Sequence, residues 1–213
     1  MGSARTGLGT WRTIMAATGV HASLVPLVVA VLITVIWRGG MIVAIGPLTL
    51  AAKLPVVVAV PTLLAVACAI SHVAPRTPVI ARSGRTVIAR GASHLTILAS
   101  GWAVVLLGDL LSPESTTGAA TRNLMVFSAA ALLVSAFAGP TYAWAPVLVL
   151  FGMGVLSNPD EATWSLHALL MTPAAQPLQL AVMVPVCLLA VLVTALDPLN
   201  RGYLPRRSRP THR

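Results

Sequence analysis

Residues 178–196 read LQLAVMVPVCLLAVLVTAL and are closed by Asp197-Pro198. No charge interrupts the run. As a helix rising about 1.5 Å per residue it reaches roughly 28 Å, close to the ~30 Å hydrocarbon core of a bilayer. The stretch therefore predicts a membrane-spanning helix. Five further apolar runs lie upstream, over 142–156, 124–138, 95–111, 54–72 and 22–37. Runs 124–138 and 142–156 are short for a crossing. They flank Gly139-Pro140, so they form a tight helical hairpin or dip into the bilayer and return. Either way the number of crossings is even, and both termini share one side.

Composition agrees with this reading. The chain has 213 residues, 57% of them apolar and only 9% charged, where a soluble domain carries roughly a quarter charged. Mean hydropathy is +0.88. A soluble fold is excluded, and lipid is the main solvent. Arg5 and Arg12 precede the first run as in a signal peptide, but no small-residue cleavage site follows, so the run reads as an uncleaved span. Pro55 and Pro61 predict a kinked second span. Cys68 and Cys187 both lie inside apolar runs and give no disulfide framework.

Net charge is +9. The basic residues lie between and beyond the spans, with no basic and aromatic face of the kind that binds single-stranded nucleic acid, so no nucleic-acid partner is expected. Topology explains them instead. With a cytoplasmic N-terminus, the inner side holds Arg5 and Arg12, then Arg76, Arg82, Arg85 and Arg90, then Arg201, Arg206, Arg207, Arg209 and Arg213. The outer side holds Arg38, Arg122 and Lys53, with Asp109, Glu114, Asp160 and Glu161. That is the positive-inside pattern. The sequence thus predicts an all-α, polytopic membrane helix bundle. It has about six transmembrane helices in one domain over 1–213, with both termini cytoplasmic. Arginine almost to the exclusion of lysine, with abundant alanine, hints at a GC-rich bacterial genome and hence a bacterial cell membrane.

Four segments lie outside the spans. Residues 1–21 carry Trp11, Ile14 and Met15 at helical spacing beside Arg5 and Arg12, which suggests an interfacial helix. The cytoplasmic loop 73–91 carries Arg76, Arg82, Arg85 and Arg90 with no acid, and Val79, Ile80, Val87 and Ile88 give it an apolar component. It reads as a short amphipathic helix that docks on a cytoplasmic partner or rests on anionic lipid. The outer segment 157–177 holds Trp164 and His167 in an apolar stretch too short to cross. It forms an interfacial or re-entrant helix, serving as a lid or anchored at the headgroups by Trp164. The tail 198–213 is basic and proline-interrupted.

Motifs of chemistry are absent. The single lysine, Lys53, precedes Leu54 and ends no glycine-rich phosphate loop. None of His21, His72, His94, His167 and His212 has HExxH spacing, and Ser165 beside His167 lacks a nucleophile elbow. No span has a charge near its centre, as an ion-coupled carrier usually would. His72 and His94 read as interfacial. Ala131, Ser135 and Gly139 repeat every four residues and allow close helix approach, at a dimer seam or within the bundle. No catalytic, metal or cofactor residues are expected.

The order of parts resembles the membrane subunit of an ABC-2 type exporter, of the small actinobacterial permease kind. The closest local match is Pro78-Val79-Ile80-Ala81-Arg82-Ser83-Gly84-Arg85-Thr86-Val87-Ile88-Ala89-Arg90, which resembles that family's coupling segment. Trp164 followed by Pro173 resembles its outer segment. The family often carries a glutamate in the coupling segment, and this chain has no acid between Ser71 and Gly108. The resemblance implies an exporter permease for an amphipathic or apolar compound. A separate ABC ATPase subunit would bind the ATP and dock at Val79, Ile80, Arg82, Arg85, Val87 and Arg90. A second permease subunit, identical or homologous, and membrane lipids complete the expected partners. The competing reading is a non-transporting membrane scaffold or accessory subunit.

Overall fold

The computed structural model describes residues 20–37, 40–45, 48–70, 84–111, 117–156, 169–170 and 177–196. Among these residues lie six α-helices: α1 (Val20–Ile36), α2 (Val56–Ile70), α3 (Gly84–Leu111), α4 (Thr117–Phe137), α5 (Trp144–Leu156) and α6 (Pro177–Leu196). Val87–Leu111, Gly118–Phe137 and Pro177–Leu196 are each long and apolar enough to cross a membrane. The other apolar helices are shorter, over Ser23–Ile36, Ala59–Ile70 and Pro140–Leu156. The predicted helical membrane bundle is the observed architecture.

Its packing is inverted relative to a soluble protein. Leu24, Val25, Val28 and Leu32 of α1, Leu148, Val149 and Met153 of α5, and Leu188, Leu189 and Leu192 of α6 all face outward. In water these surfaces would associate; in hydrocarbon they are solvated. The interior uses small residues, which let backbones approach. Helix α4 is the hub, packing most extensively on α2 and α6 and also on α3 and α5. Its Phe127 and Ala131 join Ala65, Ala69 and Val147; its Leu132 joins Cys68, Cys187 and Ala190; its Leu124 joins Ala30, Leu64 and Val105. Ala131 and Ser135, fully buried, serve packing within the bundle.

Hydrogen bonds fix the helix directions. Arg90 near the start of α3 meets Ala195 near the end of α6, and Thr194 meets Leu132 of α4. At the opposite end Arg122 of α4 meets Gln179 of α6. Helices α4 and α6 are therefore parallel, and α3 runs against both. Cys68 Sγ donates to the His94 carbonyl over 3.8 Å, which puts the end of α2 beside the start of α3.

Three boundaries differ from the sequence reading. The second span was expected from residue 54, with Pro55 inside it. Instead β1 (Met41–Ile45) and β2 (Leu48–Pro55) form an antiparallel hairpin, with a bulge between Ile42 and Ala44, and α2 starts at Val56. The residue before a proline is pushed toward extended backbone, so Leu54 stays with the strand. Val56 N donates to the Gly40 carbonyl at 3.0 Å and Gly40 N to that of Trp37 at 2.8 Å, tying α2 to the end of α1. The loop 73–91 gives up residues 84–91 to α3, whose helix continues until Leu111. Charge lowers hydropathy but does not break a helix, and no proline lies between Gly84 and Leu111. Likewise α4 begins at Thr117 and takes in Arg122 and Asn123, which the hydropathy of 124–138 leaves outside.

The turn between α4 and α5 falls at Gly139-Pro140, where the sequence places a break. Ala138 N and Gly139 N both donate to the Val134 carbonyl, at 2.8 and 3.2 Å. Gly139 takes φ +106°, which side-chain-bearing residues rarely adopt. Pro140 then opens a 3-10 turn, Pro140–Tyr142, leading into α5.

Candidate functional site: a buried arginine cluster

A guanidinium is always charged and holds five N–H donors, so lipid-embedded chain buries it only where acceptors converge. Arg122 is such a case. It sits in the second turn of α4 at 0% exposure, the largest fully buried side chain described. Its Nε and Nη2 both donate to Asn123 Oδ1, each at 3.3 Å. Its Nη1 donates to Gln179 Oε1 at 3.3 Å. Asn123 Nδ2 in turn donates to the Leu170 carbonyl at 2.7 Å. Asn123 and Gln179 are 1% and 2% exposed. The cluster joins the start of α4, the start of α6 and the Leu169–Leu170 pair. Side-chain oxygens of Asn123 and Gln179 accept from it, and the contacts fix how these parts sit together. Its chemistry is hydrogen bonding; it presents no nucleophile.

The sequence reading placed Arg122 in an outer loop and did not single out Gln179. The available signal was Gln179 itself, a polar side chain inside an uninterrupted apolar run. A buried amide in a span calls for a partner from another helix.

The opposite end carries a second arginine contact. Arg90 is 3% exposed, and its Nη1 donates to the Ala195 carbonyl at 3.4 Å. A cation at the last turn of a helix meets carbonyls that lack intrahelical partners and the negative end of the dipole. Thr194 Oγ1 lies 3.0 Å from the Leu132 carbonyl and 2.7 Å from that of Ala190. Helix α6 is thus held by an arginine near each end, Gln179 and Ala195 being about 24 Å apart along it.

The predicted docking residues divide. Val79, Ile80 and Arg82 lie outside the described residues, as do Trp164 and His167. Arg85 lies in the first turn of α3, and Val87 is half-buried. Arg90 points into the bundle rather than toward a docking surface, because the end of α6 offers it carbonyls. His94, read as interfacial, is 1% exposed inside the bundle. Among the described residues no three His, Cys, Asp or Glu side chains group as a metal site. Comparison of the chain with protein-family models, with curated proteins and with solved structures finds no match.

Proposed function

We propose that the chain is the permease subunit of an ATP-driven exporter of an amphipathic or apolar compound. It works as a multi-pass protein of a bacterial cell membrane, with a second permease subunit and a separate ABC ATPase. One observation supports this most. Helix α3 runs unbroken for 28 residues, about 42 Å, and exceeds the ~30 Å hydrocarbon core. Its surplus is the basic end that the sequence likens to a coupling segment. A push there travels along one helix without a joint, and the Arg90 contact passes it to α6. A motor outside the chain then has a rigid element to act on.

The experiment is coexpression with an ABC ATPase, affinity capture through the full-length permease, and ATP turnover of the captured complex. Arg82→Glu and Arg85→Glu are expected to weaken capture and lower turnover. Arg90→Ala is expected to lower the unfolding midpoint of the chain instead, since Arg90 faces α6. Equal capture and equal turnover after both charge reversals would remove the docking role and favour the scaffold reading.

A further inference from the structure

Hydroxyls in helices normally bond back to the carbonyl four residues earlier. This bundle follows the habit at Thr34, Ser93, Thr96 and Ser100, with oxygen separations of 2.8 to 2.9 Å. Helix α4 does not. The hydroxyls of Thr121, Ser128 and Ser135 are buried with no hydrogen-bond partner. Ser128 and Ser135 are each 0% exposed. The three recur every seven residues, which is one face of a helix with a rise of about 10.5 Å between successive members.

That face is identifiable. Ser128 lies between Leu124 and Leu132, four residues to either side. Leu124 packs among residues of α1, α2 and α3, and Leu132 among residues of α2, α3 and α6. Gly101 of α3 packs closely there: a Cβ on it would lie in van der Waals contact, 3.5 Å from Leu124 and 3.6 Å from Leu64. The unpartnered hydroxyls therefore line the seam between the hub helix and α2 and α3. Each has a back-bonding acceptor in its own helix and does not use it.

We propose that this seam takes up water, bound by Thr121, Ser128 and Ser135, in a second arrangement of the bundle. A change of state needs a difference in interaction between the two states. Here the closed seam leaves three hydroxyls without partners. Water entering it can accept from each and donate to it, as buried waters do at polar sites. The inference concerns the chain alone and stands whether or not it transports a compound.

The test uses the full-length chain in liposomes. Ser128→Cys and Ser135→Cys are treated with a charged methanethiosulfonate, which reacts with thiolate and so reports water. Wild type, whose Cys68 and Cys187 are buried, is the blank, and Val147→Cys, buried on α5, is the dry control. Both seam cysteines are expected to label at least about tenfold faster than the controls. Labelling no faster than Val147→Cys overturns the proposal. Ser128→Ala and Ser135→Ala supply the second measurement. Removing an unpartnered hydroxyl is expected to raise the unfolding midpoint by about 2–4 °C. A lowered midpoint would mean that the hydroxyls are already satisfied in the closed bundle, and would also overturn the proposal.

Discussion

Gln179→Leu keeps the size of the side chain and removes the acceptor of Arg122 Nη1. A hydrogen bond to a charged group contributes about 1.5–3 kcal/mol, while hydrogen bonds between membrane helices average nearer 0.6 kcal/mol. Full burial and a formal charge place this one at about 1.5–2 kcal/mol. For a chain of this size that is a fall in unfolding midpoint of about 3–8 °C. Arg122→Met leaves the oxygens of Asn123 and Gln179 without that donor and is expected to cost about 2–3 kcal/mol. The double variant removes both ends of the Arg122–Gln179 bond, so its loss should fall short of the sum by about 1 kcal/mol or more. Thermal unfolding in lipid nanodiscs, followed by loss of helicity, measures all three. A Gln179→Leu change below about 0.5 kcal/mol, with an additive double variant, would refute the clamp.

Gly139→Ala should lower the unfolding midpoint, because φ +106° costs a side-chain-bearing residue about 1–3 kcal/mol, although nothing lies within 4 Å of the added methyl. Gly152→Ala, inside α5 and equally unobstructed, should act in the opposite direction by about 0.5–1 kcal/mol; equal signs would contradict the assigned backbone. Cys68 and Cys187, at 0% and 1% exposure, should resist a water-soluble maleimide in native membranes and react after denaturation. Rapid labelling of either would show that the α2–α6 core is open.

Much of the fold was legible in the primary structure. Run 178–196 coincides with α6 almost residue for residue, because nineteen uncharged residues before Asp197-Pro198 admit one solution in lipid. The break at Gly139-Pro140 was equally plain, since glycine supplies the positive φ and proline forbids a continuing helix. The hairpin strands were not legible. Residues 41–55 are mostly apolar, with Lys53 the one charge, and hydropathy does not separate strand from helix in so short a run. The start of α3 was read as a separate amphipathic segment: hydropathy counts Arg85 and Arg90 against a span, yet the backbone carries one helix through both.

The sequence alone determined the apolar surroundings of the chain and roughly where the described helices lie, because both depend on apolar length and charge spacing along the chain. Only the tertiary structure decided which polar groups go inside. Arg122 enters the bundle because Gln179, far along the chain, meets it there, and Arg90 turns inward because α6 ends beside it. Ser128 and Ser135 are left without partners because α4 is enclosed by helices from both halves of the chain. Burial of a polar group is settled by its neighbours in space, and no linear window contains them.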